Sequence, residues 1–497
     1  MEVTVKNRIV EELKQIAGAD HVSTAQADLY FYSQDMTENE PSWPDIVVMP
    51  DSVEEIQEVL RLANRERIAV TPYTAGGNVG GLTIPLKGGI MLDMRRMNRV
   101  VEFNEEDRYI VVEPGFNFGD LRRFLDKQAP HLWYGFPSCP PSSSVMSNAL
   151  LDGFGYNRNQ LGTNHEGATG LEVVLPTGEL VKIGSCSVSP FWFSRAPLPD
   201  LAGLFFSWQG ATGVVTKIGV QLWPRHALRL QQSLVTTGIY PTAKLVRRLG
   251  RTRTCEICGF TSYDIIQSKI NDSSLDQTEA RMSAEAGPQV IGLMDGRLRG
   301  TYDRPPGADK FGVNLRLEAD TEDEMKAKVA FMKQVIKEEL EGTDYIEHPV
   351  CPADLSDYPM RAGLGIYVGA QTWIGSLGPT SQWEKALEII LPTFDKYRLM
   401  RIVACTCFKN AHYGYVRPII GYNKGDPDEF ERVKKCVREF LIAVLDTGFV
   451  PYKAPYWAVE EMMRRGDPGW VNLLRRVKKM LDPNNIMNPQ RYGDTGD

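Results

Sequence analysis

Gly76, Gly77, Gly80 and Gly81 place four glycines in six residues, in the stretch TPYTAGGNVGGLTIPLKGGIMLDM, directly after a predicted strand. The backbone N–H groups of such a loop can form a nest that neutralises a pyrophosphate without a helix dipole. The spacing is not that of a dinucleotide-binding turn. Asn78 stands where G-x-G-x-x-G requires its second glycine, and the G-K-[ST] ending of a P-loop is missing. The loop also runs into a β-rich segment and not into a helix. A tight chain crossing that needs positive φ is the other reading, and the loop alone leaves both open. Metal chemistry has less support. Cys255 and Cys258 form an isolated CEIC, and Cys405 and Cys407 are too close together for the usual zinc pair, so no metal site is expected.

The elements that must position this loop are legible around it. In SVEEIQEVLRLANRER, Ser52 and Glu55 make a capping box, and Val53, Ile56, Val59, Leu60 and Ala63 share one helical face. IAVTPY, GGIMLDM and RYIVVEPG read as strands, the last stopping at Pro114-Gly115, and NFGDLRRFLDKQ reads as a helix. GATGLEVVLPTGELVKIG is a hairpin turned by Pro176-Thr177-Gly178. The texture changes near Pro224. Beyond it FGVNLRLEA precedes one helical run and YVRPIIGYN precedes another, which suggests an antiparallel sheet covered by helices on one face. The helix PGWVNLLRRVKKML and DPNNIMNPQRY end the chain.

At 497 residues with 42% hydrophobic side chains, the chain has room for two or three domains. A net charge of −7 with dispersed Lys and Arg leaves no basic footprint for nucleic acid. The start, MEVTVKNRIVEELKQIAG, lacks the apolar core of a secretion signal, and no apolar run is long enough to span a bilayer. Eight cysteines in a chain of this length do not form a disulfide scaffold, so a cytoplasmic location is expected.

Four segments occur in a telling order: PDIVVMPDSVEEIQEVLRLANRERIAVTPYTAGGNVGG, GGIMLDMRRMNRVVEFNEEDRYIVVEPG, GLEVVLPTGELVKIG and GATGVVTKIGVQLWP. Together they resemble the FAD-binding domain of the vanillyl-alcohol oxidase and p-cresol methylhydroxylase flavoproteins, over roughly Pro44 to Pro224, and LDPNNIMNP is a further echo. The resemblance implies an α+β fold. Its FAD-binding domain is in two parts (1–224, with 456–497 returning to it), and an inserted cap or substrate domain (225–455) is built on an antiparallel sheet covered by helices. It implies FAD, held at the pyrophosphate by Ala75, Gly76, Gly77, Asn78 and Val79. Pro137, Ser138, Ser142, Ser143, Ser144, Val145, Asn148, Gly153, Gly162, Val214 and Val215 would line the rest. Covalent attachment is left open between a dissociable flavin and a tether among His412, Tyr413 and Tyr415 of FKNAHYGYVRPIIGY. A homodimer is expected, with a cytochrome or an electron-transfer flavoprotein as a possible acceptor.

The phenol-oxidising branch of this family fits better than the glycolate and D-lactate dehydrogenase branch. The six histidines, at 21, 131, 165, 226, 348 and 412, form no H-x-G-D-G-N motif, whereas SSVMSNALLDGFGYN and GAQTWIGSLGP resemble the phenol branch. The implied chemistry is hydride transfer from a benzylic or carbinol carbon of a phenolic or other aromatic alcohol or alkylphenol, with donors around an oxyanion. Tyr156 and Tyr452 match the family's tyrosines. Lys453 stands where the family has arginine, keeping the charge but losing the planar fork. Arg417 is a further candidate cation, with an exposed surface arginine as the alternative. Two departures count against a phenol. Gly81 follows NVG where phenol oxidisers place a tyrosine, and Cys139 replaces the acidic residue before the serine run. Cys139 reads as a reactive thiol or a small apolar filler. Two other readings remain: a 2-hydroxy-acid dehydrogenase whose Lys453 or Arg417 clamps a carboxylate, and the flavin subunit of an electron-transfer complex.

Overall fold

The computed structural model describes residues 3–77, 79–137, 139–262, 309–352, 370–399 and 401–493, so Asn78 and Ser138 lie outside the described residues. The helix Val53–Glu66 starts where its capping residues place it. The Ser52 hydroxyl accepts the Glu55 N–H at 3.2 Å, while the Glu55 carboxylate reaches back to the Asp51 N–H at 2.9 Å. Ile56, Val59, Leu60 and Ala63 pack on a four-stranded sheet. Its strands are β1 (Val22–Ser23), β2 (Ile46–Val48), β3 (Val70–Tyr73) and β4 (Ile90–Asp93), in the order β1-β2-β4-β3. Strands β2 and β3 run parallel to β4, and the glycine loop leaves the end of β3. The last described residues close this unit, with the Val70 N–H donating to the Ile486 carbonyl at 2.7 Å and the Asn488 N–H to the Val70 carbonyl at 2.8 Å.

A second, antiparallel sheet follows. It comprises β5 (Val100–Asn104), β6 (Tyr109–Val112), β8 (Ala168–Val174), β9 (Leu180–Gly184) and β10 (Val214–Gln221), in the order β5-β6-β10-β8-β9. Strands β8 and β9 are the hairpin expected from the sequence. The short strand β7 (Leu132–Trp133) pairs instead with β11 (Trp223–Pro224). The helix Phe118–Gln128, capped by Asn117, buries Phe118, Leu121 and Leu125 against this sheet.

The third layer is a ten-stranded sheet among the described residues, and every pairing in it is antiparallel. It contains β12 (Leu228–Thr237), β13 (Ile257–Ser262), β14 (Lys310–Ala319), β15 (Tyr345–Glu347), β16 (Cys351–Pro352), β17 (Ala370–Trp373), β18 (Ser376–Gly378), β19 (Ile402–Phe408), β20 (Tyr413–Tyr422) and β21 (Val450–Pro451). Side chains alternate across a strand, so β19 serves two cores. Val403, Cys405 and Cys407 pack with the helices Ile239–Gly250, Trp383–Lys396 and Pro427–Asp446. Ala404 and Phe408 turn the other way and meet Tyr415 and Phe154. The helices therefore cover one face, as the sequence led one to expect, and the opposite face is left to build the site. No described helix is long and apolar enough to cross a membrane.

Candidate active site

The glycine loop is a close crossing of the chain. Gly76 has φ +63°, and a Cβ there would overlap the Tyr73 hydroxyl; on Gly80 it would overlap the carbonyl of Lys453. Glycine at 80 is thus what allows the loop to touch the segment carrying Tyr452 and Lys453. Thr74 ties the loop to the short helix Val145–Leu150 through a 2.8 Å hydroxyl contact with Ser147. Ser144 caps that helix by accepting the Ser147 N–H, and donates to the Pro114 carbonyl at 2.6 Å. Ser143 lies behind Gly77, Ser142 is exposed, and Val145 is buried. Asn148 accepts from Asn164 at 2.6 Å, and its side chain packs directly on Gly153. Gly162 packs in the same manner on Glu166.

Between the first two sheets runs a cleft with about 710 Å³ of open space, whose walls include Thr74, Leu82, Ser147, Phe205, Val214 and Val215. One residue before Leu82 in its wall, the Gly81 N–H donates to Asp35 at 2.9 Å, and the Gly81 carbonyl accepts from Arg491 at 2.6 Å. Arg491 is 3% exposed, and its Nε and Nη1 have no hydrogen-bond partner among the described residues. Burial holds its pKa down at about 10. A buried guanidinium with spare donors beside the glycine loop, and a cleft whose walls mix apolar side chains with the Thr74 and Ser147 hydroxyls, fit a long cofactor bearing a pyrophosphate and polar ring edges.

On the cap side Tyr452 is buried, its N–H bonded to the Gly375 carbonyl at 3.0 Å and its ring pressed on Gly375. Burial raises the phenol pKa, and the hydrogen-bonded Arg417 pulls it back. The Arg417 guanidinium lies 5.1 Å from the ring centres of both Trp373 and Tyr415. Tyr415 in turn stacks on Phe154 at 5.3 Å. Lys453 is half-buried with φ +52°, and burial lowers its ammonium pKa to about 8, against the pull of Cys139 and Asp152. Cys139 sits beside it, hydrogen-bonded to Ser143. Burial pushes its pKa up to about 11, so it stands as a neutral thiol packed on the second sheet's core. Tyr156, half-buried, neighbours Arg158.

The structure therefore brings Tyr452, Lys453, Arg417, Tyr415 and Cys139 to one place, next to the glycine loop. Of the remaining tether candidates, Tyr413 packs on Phe408 at the edge of the same aromatic cluster, and His412 does not. His412 is exposed after three left-handed residues, Lys409, Asn410 and Ala411. The Tyr413 hydroxyl donates to Glu166 at 3.1 Å, and Glu166 also pairs with Lys409 at 2.6 Å. Two residues escaped the sequence reading. Arg158 lies two positions after Tyr156, and Arg491 sits in the NPQRY that follows the closing echo. Neither belongs to a periodic pattern, and only the folded chain shows what each one faces.

Two family models match the chain: an FAD binding domain over residues 44–184, and the C-terminal domain of FAD linked oxidases over residues 378–492. The mitochondrial D-lactate dehydrogenase [cytochrome] of Arabidopsis thaliana is 30% identical over 98% of this chain and 80% of its own length. The 4-cresol dehydrogenase [hydroxylating] flavoprotein subunit of Pseudomonas putida is 23% identical over 98% of this chain and 95% of its own. The crystal structure of p-cresol methylhydroxylase with substrate bound shares the fold, with a TM-score of 0.81 at 21% identity, covering 100% of this chain and 98% of that one. The two family models take in the glycine loop and the segment that carries Arg417, Tyr452, Lys453 and Arg491. The chain belongs to the vanillyl-alcohol oxidase and p-cresol methylhydroxylase-type family of FAD-linked oxidoreductases.

Proposed function

We propose that the enzyme takes a hydride from the benzylic or carbinol carbon of a phenolic or other aromatic alcohol or alkylphenol. The observation that carries this reading is the Arg417–Tyr452 hydrogen bond, set with Lys453 inside a wall of Tyr415, Phe154 and Trp373. FAD, when bound along the cleft, supplies the hydride acceptor. Ala75 to Val79 would hold its pyrophosphate, Arg491 an electron-rich edge of its ring, and Val214 and Val215 the apolar remainder.

The rest of the work falls to the chain's own side chains. Phe154 and Tyr415 orient an aromatic ring by stacking and shut out water, which strengthens every charge contact within. The Tyr452 hydroxyl, already accepting from Arg417, is left to donate to a substrate oxygen. Lys453 stabilises negative charge developing there, and Tyr156 completes the wall. A cation in a water-poor pocket stabilises an oxyanion by more than it would in solution. Cys139, a neutral thiol where a carboxylate stands in vanillyl-alcohol oxidases, offers no base, so proton removal falls to water or to Lys453 in its neutral form.

A second reading is a 2-hydroxy-acid dehydrogenase, supported by the 30% identity to a D-lactate dehydrogenase and by the cations Arg417 and Lys453. A relative described as a flavoprotein subunit also keeps open an electron-transfer complex with a cytochrome or an electron-transfer flavoprotein. Anoxic bleaching of the flavin by a panel of 4-alkylphenols, benzylic alcohols, D-lactate and glycolate separates these. Bleaching by the aromatic compounds supports the proposal, and none from any of them sinks it. Rapid bleaching by D-lactate or glycolate alone favours the second reading.

A further inference from the structure

The helix Pro468–Leu481 is held to the rest of the chain by a narrow strip of its surface. Its side chains fall into three lines, each about 100° round the helix from the next. Val471, Leu474, Lys478 and Leu481 form the inward line, in which Val471 and Lys478 are buried and the two leucines half-buried. Lys478 pins this line: its ammonium donates to the Ala211 carbonyl at 2.7 Å, the Met487 carbonyl at 2.8 Å and the Asp482 carboxylate at 2.5 Å. Asp467 caps the start of the helix by accepting the Trp470 N–H at 2.9 Å.

A second line, Trp470, Leu473, Val477 and Met480, is apolar throughout and faces outward. Trp470 is 41% exposed, Leu473 54% and Met480 67%, while Val477 is half-buried. Asn472, Arg475, Arg476 and Lys479 make the third line, and all four are exposed. A helix of this length ordinarily owes its stability to packing its apolar stripe on the core. Here a full apolar line is left in solvent, beside the one that packs.

The charge of the helix is equally out of keeping with its surroundings. The chain has 63 acidic residues against 56 basic ones, yet PGWVNLLRRVKKML holds four basic residues and no acidic one. Asp482 balances Lys478. Among the described residues Arg475, Arg476 and Lys479 form no ion pair, and Lys479 donates only to the Pro483 carbonyl at 2.9 Å. Exposed arginines on other helices are mated: Arg8 with Glu12 and Glu66, Arg248 with Glu338, and Arg464 with Glu461.

An occupant must therefore accept an apolar ridge and three uncompensated cations, side by side over about 20 Å of helix. A second copy of this chain is disfavoured, because a self-complementary contact would press the two cationic lines together. A bilayer of anionic lipid meets both demands along the whole length. Its phosphates take the arginines and the lysine, and the acyl boundary just beneath takes the apolar ridge. A tryptophan at one end of the ridge suits the headgroup level.

We propose that the helix Pro468–Leu481 is a membrane-surface anchor that lays the enzyme on an anionic lipid bilayer without crossing it. No described helix is long and apolar enough to cross one. The proposal is independent of which substrate the pocket takes.

The test is cosedimentation of the flavin-loaded full chain with vesicles of phosphatidylcholine alone, or with about a third phosphatidylglycerol. Each cation near an anionic surface is worth about fivefold in partition, so three predict binding about a hundredfold stronger to the anionic vesicles. Raising the salt from about 0.1 M to about 1 M should reverse most of that gain. Arg475→Gln/Arg476→Gln/Lys479→Gln should abolish the preference for anionic vesicles. Leu473→Ser/Met480→Ser should weaken binding to them by about tenfold or more. Both variants should reduce their flavin at the wild-type rate, since neither touches the substrate pocket. If the serine variant fails to fold, the glutamine variant and the salt series decide alone. Failure of the wild type to sediment with anionic vesicles, or sedimentation that either variant leaves unchanged, overturns the anchor. Indifference to the serine changes alone would point to an acidic protein as the partner. A dimer seen by analytical ultracentrifugation, lost in the serine variant and accompanied by no vesicle binding, would give the ridge to a second copy and overturn the anchor as well.

Discussion

Gly375→Ala is a one-carbon change that reports on Tyr452 without touching its chemistry. A Cβ at Gly375 would lie 2.6 Å from Tyr452 Cε1, 3.0 Å from Cζ and 3.1 Å from the hydroxyl oxygen. Ordinary carbon contact begins near 3.4 Å, so the ring must retreat by roughly 0.8 Å. The backbone at Gly375 is not in the left-handed region, so the effect is steric alone. Tyr452 has little room to yield, being buried, tied through its N–H to the Gly375 carbonyl and through its hydroxyl to Arg417. Overpacking of this kind costs about 1–3 kcal/mol of stability. A displacement of about 1 Å in a positioning group lowers turnover about a hundredfold. The expectation is therefore a modest fall in melting temperature, FAD affinity close to wild type, and kcat/KM down by about two orders of magnitude. Gly203→Ala, where no heavy atom lies within 4 Å of the new Cβ, is the matched control and should change nothing. The assay is steady-state turnover with the best substrate of the bleaching panel, alongside an FAD titration of the apoprotein. If Gly375→Ala turns over within about threefold of wild type, Tyr452 does not position the substrate, and the placement of the site on this face is refuted.

Further outcomes follow from the same geometry. Arg491→Leu removes the cation bonded to the Gly81 carbonyl and should weaken FAD binding about ten- to hundredfold, with Arg491→Lys recovering part; a dissociation constant within twofold of wild type would count against Arg491 as a cofactor contact. Lys453 is a cation below about pH 8 and neutral above, so the affinity for 4-hydroxybenzoate, whose carboxylate stays charged throughout, should fall as pH rises through that value. In Lys453→Met that step should vanish from the calorimetric pH profile, and its persistence would assign it to another group. His412 is exposed and the Tyr413 hydroxyl is bonded to Glu166, so His412→Ala and Tyr413→Phe should leave unchanged the share of flavin retained in an acid precipitate; a loss in either variant would identify the tether.

Much of the cofactor side could be read from the residues because its signals are local. The Ser52–Glu55 cap, the period of Val53–Glu66, the turn after Pro176 and the dense glycines each act within a few residues, and each appears where expected. The substrate side depends on meetings across hundreds of residues. Gly80 admits the Lys453 carbonyl, Gly375 receives the Tyr452 ring, and Arg158 anchors on Thr406. Tyr452 could be named in advance because it matches a family pattern, and Lys453 because it stands where that pattern has arginine. Arg158 could not, since a single arginine in GYNRN has no periodicity, and the Thr406 hydroxyl that anchors it comes 248 residues later in the chain. Cys139 shows the same dependence. Its type left a reactive thiol and an apolar filler open, and its place beside Ser143 and the second core is set only by the fold.

The most direct measurement of the proposed reaction is anoxic rapid-mixing reduction of the bound flavin by an aromatic alcohol and by the same alcohol deuterated at the benzylic carbon. The proposal predicts fast bleaching that the deuterium slows severalfold, because cleavage of that C–H bond is the step the pocket is built to assist. Bleaching at equal rates with both isotopologues, or no bleaching by any aromatic alcohol or acid while a small aliphatic 2-hydroxy acid reduces the flavin rapidly, would contradict it.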